Sequence, residues 1–140
     1  MEALPEWGPG TVAVLSTGAG PPHAIPVSTA VRAGPRTIAL ALALRRQSLA
    51  RLRADCRCAL TVMAGRNVAF TAHGRATIVA EPMDVSDRVA AVRIDVDAIQ
   101  DHGNDRFEID DGVRWHWTDA VAERQDAEIR AALGDSLGGP

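Results

Sequence analysis

Apolar residues recur along this chain in short, closely spaced runs, and most of them follow the two-residue period of a strand. Thr11 to Thr17 lies between Pro9-Gly10 and the turn formers Gly18-Ala19-Gly20-Pro21-Pro22 and reads as a strand. His23 to Arg32 reads as a second, with Ile25, Val27 and Val31 as its apolar members. Pro26 cannot donate to a ladder, so this run belongs at an edge, at a bulge or where a ladder opens. After Gly34-Pro35, Arg36 to Leu44 is almost continuously apolar, the pattern of a strand covered on both faces. Gln47 to Ala54 changes period: Leu49 and Leu52 stand three apart, which predicts one or two turns of helix.

Arg57 to Ala64 is strand-like again, and Gly65-Arg66-Asn67 turns it into a long run from Val68 to Glu81. The His73-Gly74 pair inside that run marks a bulge or the close approach of another group. Pro82 to Arg88 is polar, a short helix or loop. Val89 to Ile99 alternates, with Val92, Ile94, Val96 and Ala98 on one face and Arg93, Asp95 and Asp97 on the other. Phe107 to Asp110 and Val113 to Trp117 flank Asp111-Gly112 and predict a hairpin, with Trp115 and Trp117 on one face and His116 on the other. Thr118 or Asp119 caps a helix running to about Leu133 and stopped by Gly134. The whole predicts a single mostly β domain over residues 1–140, with loose ends at 1–9 and 134–140. Its expected form is a small antiparallel barrel of Greek-key type, with one short helix after the third strand and a second helix at the C-terminus.

A chain of 140 residues with 46% apolar composition can bury a core. Its net charge of −3 conceals a division. Residues 1–80 hold nine arginines against three acids, and residues 81–140 hold six against fifteen. Either the halves neutralise each other, within the fold or across a dimer, or the first half holds an anionic ligand. Nucleic acid is not expected as a partner, since basic residues are few and the acidic half would repel its backbone. There is no lysine, which excludes a Schiff base and a P-loop lysine, and no tyrosine to donate a phenolic proton. Cys56 and Cys58 form a C-x-C pair, read as reduced thiols of a cytoplasmic protein. No stretch has the length of a membrane span, and Met1 to Glu6 lacks the features of a signal peptide, so no membrane association is expected.

The basic residues concentrate where chemistry can use them. From Arg45 to Arg57 there are five guanidinium groups and one carboxylate, directly after the most apolar strand and around the start of the first helix. Helix starts offer unpaired N–H groups and a positive dipole end, and arginine adds a bidentate fork; together they hold a phosphate. No catalytic acid or base stands out. Gly18-Ala19-Gly20 lacks the third glycine and the helix of a dinucleotide fingerprint, and His23, His73, His102 and His116 form no metal-ligand spacing.

The order of pieces resembles the pyridoxamine 5'-phosphate oxidase-like family of flavin-binding split β-barrels. The likeness rests on Gly10 to Thr17, Gly20 to Val27, the apolar strand, Ser48 to Val62 and Gly74-Arg75-Ala76. It implies a homodimer with cofactor sites at the interface, holding FMN or, as the alternative, the deazaflavin F420; haem, used by some relatives, is a lesser alternative. It implies that Pro26, Val27, Ser28 and Thr29 line the isoalloxazine ring through backbone groups. Arg45, Arg46, Gln47, Ser48 and Arg51 would surround the phosphate, with Ser48 standing where many members carry a lysine. Trp115 would reach the flavin of the partner subunit, although two tryptophans on one face also suit a packed core or interface. The implied activity is a flavin-dependent oxidoreductase acting on a small molecule that enters near Ser28, Thr29 and the C-terminal hairpin. The alternative is a non-catalytic flavin or haem carrier, or a scaffold that has lost its cofactor.

Overall fold

The structure, a computed structural model, describes residues 1–137. Seven strands form one antiparallel sheet: β1 (Ala13–Thr17), β2 (His23–Val27), β3 (Val31–Gly34), β4 (Thr37–Ala43), β5 (Arg57–Ala64), β6 (Val68–Ala80) and β7 (Val89–Asp101). Helix α1 (Gln47–Ala54) follows β4, and α2 (Ala120–Leu137) ends the described chain. The strand order is β2-β1-β5-β6-β7-β4-β3, so the two margins of the curled sheet are β2 and β3. The expected second strand is therefore two strands, broken at Ser28 to Ala30, and the short helix comes after the fourth. Pro26 lies in the marginal strand β2, where a missing N–H costs no ladder bond.

β4 shows how the sequence builds two cores at once. Ile38, Leu40 and Leu42 point into the barrel with Leu15, Leu60, Val62, Phe70, Val92 and Ile94. Ala39 and Ala41 point outward and lie beneath Ile129 and Leu133 of α2. A large residue inside fills the barrel, and a methyl group outside lets the helix approach closely. Leu49 and Leu52 of α1 join the inner core and close one end of the barrel.

Where the structure departs from the sequence expectation, long-range contacts are the reason. The long strands β6 and β7 slip register at His73/Gly74, since His73 pairs with Ala98 while Gly74 pairs with Val96. Asp97 is the extra residue of this bulge, and Arg36 binds it by donating to the carbonyls of Val96 (3.2 Å) and Asp97. Beyond it the faces exchange, so Ile99 is buried and Ala98 is exposed. Residues 102–119 contain no strand, so the Asp111-Gly112 hairpin does not form. The segment instead crosses the barrel end as a strap. Asn67 donates its backbone N–H to the carbonyl of Ile109 (3.2 Å), and its side-chain oxygen accepts the Ile109 N–H (3.1 Å). A Cβ on Gly112 would stand 2.8 Å from the Met63 carbonyl oxygen, and one on Gly65 would stand 2.8 Å from that of Asp110. Gly112 serves close backbone approach rather than a tight turn, and Gly65, in the β5–β6 turn as expected, serves both.

The N-terminal residues are not loose. Leu4 is buried and its N–H donates to the Pro35 carbonyl, Trp7 packs on Phe70, and Arg32 and Arg36 donate to the carbonyls of Leu4 and Glu2. Asp119 caps α2, as expected, by accepting the N–H groups of Val121 and Ala122. Gly134 does not stop that helix, because an exposed glycine costs about 1 kcal/mol and the buried Leu133 anchors the turn. Of the expected C-terminal loose end, residues 138–140 lie outside the described part. Pro82 to Arg88 is a loop closed by a bridge between Met83 and Ser86. No described helix is long and apolar enough to cross a membrane.

Candidate functional site

α1 begins without a cap. Arg46 occupies the capping position with no side-chain bond to the helix, and the first turn holds no acidic residue. The first N–H groups therefore face outward with a positive dipole end and no carboxylate or hydroxyl to satisfy them. Arg45, Arg46 and Gln47 surround this start and are all exposed.

Six of the other seven arginines of the first half are committed elsewhere. Arg32 and Arg36 hold the N-terminal segment. Arg51 donates to Thr17 Oγ1 (3.1 Å) and to the Pro21 carbonyl, tying α1 to the β1–β2 turn. Arg53 pairs with Glu81, Arg57 with Asp55 (2.7 Å) and Arg75 with Asp97 (3.7 Å). Arg57 holds the Asp55 carboxyl down at about 2, through its side-chain and backbone hydrogen bonds. Only Arg45, Arg46 and Arg66 of the nine have no ion pair or side-chain hydrogen bond among the described residues, and two of these stand side by side at the uncapped helix. Of the six ion pairs described, only Arg53–Glu81 and Arg75–Asp97 join the two halves of the chain, so the charge division is not cancelled by mutual pairing.

Ser48 behaves differently from the expectation. It is completely buried on the inner face of α1 beside Leu49, and its Oγ has no hydrogen-bond partner. Arg51 is likewise engaged, so neither stands free to meet a ligand in this arrangement. The only other orphaned buried side-chain atom among the described residues is Nδ1 of His23. His23 pairs across the strands with Thr17, the same residue that receives Arg51. Ser48, Arg51, Thr17 and His23 thus form one polar corner under the α1 end of the barrel.

Thr29 sits at the barrel's seam. Its hydroxyl donates to the Ala41 carbonyl and accepts the Ala41 N–H, both at 3.0 Å. The β3–β4 ladder ends at Val31↔Ala39, so this side chain substitutes for the next strand pair. Ser28 is half-buried beside it, Val27 points inward, and Pro26 is exposed on β2, whose outer backbone edge has no strand partner. Ala41 precedes Arg45 by four residues, which places the seam within about 13 Å of the arginines at a strand's rise. Trp115 is not brought to them within one chain. Its indole N–H donates to the Gly10 carbonyl (2.8 Å) at the opposite end of β1 from Thr17, on the order of 20 Å away.

The remaining candidates are placed plainly. The His73 side chain is exposed and makes none of the described hydrogen bonds. His102 Nε2 meets Thr71 Oγ1 at 2.7 Å, and Thr71 meets Thr61 Oγ1 at 2.8 Å. Trp115 and Trp117 pack edge to face, with ring centroids 5.2 Å apart, and remain partly exposed rather than in the core. No group of three metal-ligating side chains occurs among the described residues. Cys56 and Cys58 are unbonded; burial, with Cys56 and Asp97 nearby, pushes the Cys58 thiol up to about 12. A thiol reagent at pH 8 should accordingly modify the native protein at Cys56 alone. Cys56→Ser should abolish that reaction and Cys58→Ser should leave it, as counted by mass spectrometry.

No protein-family model matches the sequence, and no curated protein does. Solved structures do match in shape. An F420 reductase superposes with a TM-score of 0.57 at 13% identity, over 66% of this chain and 91% of its own. HupZ of Group A Streptococcus superposes at 0.55 with 15% identity, over 76% of this chain and 90% of its own. A Listeria innocua protein, provisionally assigned as a pyridoxamine 5'-phosphate oxidase, gives 0.54 with 13% identity, over 67% of this chain and 90% of its own. Identity this low carries architecture alone. With its seven antiparallel strands, its helix closing one end and these counterparts, the chain has the split β-barrel fold of the pyridoxamine 5'-phosphate oxidase-like proteins.

Proposed function

We propose that this protein binds a phosphorylated flavin-type cofactor at the start of α1, FMN ahead of F420, and works as an oxidoreductase on a small organic molecule. The observation that carries the reading is the uncapped helix start flanked by the unpaired Arg45 and Arg46. A phosphate near −2 supplies the acceptors that these N–H groups and guanidinium forks lack. The ring would lie along Pro26 to Thr29, against the unpaired edge of β2, with substrate approaching at Ser28 and Thr29. A bound flavin supplies the hydride chemistry; this chain's residues bind, orient and shield it, and need no acid–base pair of their own. Solved structures of the same fold include an F420 reductase and an FAD-binding protein from Mesorhizobium loti, which favours a flavin-type ligand.

A homodimer belongs to this reading. Of the outward positions of β2, β1 and β5, only Arg57 at one end, paired with Asp55, is charged; Ala24, Pro26, Val14, Ala59 and Met63 are not, and Val14 and Met63 are 40% and 47% exposed. A sheet face so poor in charge suits burial against a second copy. The adjacent unbonded cysteines favour a cytoplasmic setting. The test compares FMN with riboflavin, which lacks the phosphate, by quenching of flavin fluorescence. FMN should bind at least about tenfold tighter, to a species that sediments as a dimer; equal affinities would overturn the phosphate assignment.

A further inference from the structure

A cavity of about 770 Å³ lies at the barrel end opposite α1, between the N-terminal segment, the β5–β6 turn, the strap and α2. All three tryptophans of the chain line it, although Trp7 is more than a hundred residues from Trp115 and Trp117. Two of the rings are fixed by their own N–H groups: Trp7 donates to the Ala30 carbonyl (2.9 Å) and Trp115 to that of Gly10 (2.8 Å). Trp117 is held edge-on to Trp115 at an interplanar angle of 76°. With the indole N–H groups of Trp7 and Trp115 spent on backbone, what those rings can offer a ligand is their π systems, which attract cations.

The charges around the cavity point the same way. Five carboxylates and three guanidinium groups line it. Asp126 pairs with Arg130 at 2.8 Å and Asp111 with Arg114 at 3.6 Å. Glu6, Asp110 and Glu123 then face Arg66 alone, an excess of two negative charges. The start of α2, which could otherwise draw an anion, is already capped by Asp119. A cavity of this size accommodates a small organic ligand.

We propose that this cavity binds an organic cation with an apolar body, an amine or quaternary ammonium, between the tryptophan faces and the unpaired carboxylates. The assignment is independent of the phosphate site at α1. The probe is benzyltrimethylammonium, titrated into the full chain at constant ionic strength while tryptophan fluorescence is followed, with phenylacetate as the anion of similar size. A saturable change with the cation and none with the anion is expected. Asp110→Asn and Glu123→Gln should each weaken it about threefold, and together about tenfold, with unchanged melting temperature. Trp117→Leu should abolish it. Absence of a saturable response, an equal response to phenylacetate, or an unaltered affinity in the double carboxamide variant would overturn the proposal. So would displacement of the cation by FMN, because the cavity would then be part of a flavin site. FMN binding that survives the carboxamide changes, with cation binding lost, supports two separate sites; loss of FMN binding alone in Arg45→Ala/Arg46→Ala would leave the cation site standing.

Discussion

The double replacement Arg45→Ala/Arg46→Ala is expected to lower FMN affinity by about 100-fold, with no loss of fold. A hydrogen bond to a charged group is worth about 1.5–3 kcal/mol, and two at an exposed helix start sit at the low end, about 3 kcal/mol together. Neither side chain is buried or bonded to the rest of the chain, so the melting temperature should stay close to that of the parent. The same argument separates charge from geometry. Arg45→Lys/Arg46→Lys keeps both positive charges but loses the planar fork, and should retain an intermediate affinity. Fluorescence titration of both variants decides the matter. Full FMN retention by the alanine variant, with the barrel intact, would remove the basis of the flavin assignment.

The largest expected effect on stability belongs to Gly74→Ala. Gly74 has a backbone conformation open to any residue; what it lacks is space. A Cβ there would overlap the Asp95 carbonyl oxygen and come within 3.0 Å of both the Asp95 carbonyl carbon and Ile94 Cγ2. Those atoms belong to the neighbouring strand beside a bulge, so relief requires β6 and β7 to move apart in the middle of the sheet. Over-packing of this kind costs about 3 kcal/mol, which for a chain of this length lowers the melting temperature by about 10 °C. Gly8→Ala is the control, since no atom lies within 4 Å of the added methyl and the change should be within about 0.5 kcal/mol. A Gly74→Ala protein that melts with the parent would show that the strands yield there at no cost.

Local patterning made much of the architecture readable. The continuous apolar run of β4, the three-residue spacing of Leu49 and Leu52, and Pro26 at a margin each followed from local pattern or a single missing donor. Of the candidate site, the sequence showed the cluster itself, five guanidinium groups against one carboxylate from Arg45 to Arg57. What could not be read depends on residues far apart in the chain. Gly112 follows an aspartate as hairpin glycines do, yet it serves the approach of the strap to Met63. The phase of Ala98 and Ile99 depends on a bulge whose partner is on another strand. Which arginines are free is equally non-local, since Arg32, Arg36 and Arg51 find their acceptors at least 28 residues away. Ser48 differs for a third reason: a hydroxyl at the start of a helix can face either way, and packing against Leu49 turned it inward.

The seam at Thr29 gives this barrel an uneven stiffness. Between paired neighbours of the sheet, ladders of main-chain bonds run along the strands and must break cooperatively. At the seam two bonds from one hydroxyl do the same work, at about 1 kcal/mol each. That joint is therefore where the wall is expected to yield first, beside the proposed ring position, while the laddered staves keep their alignment.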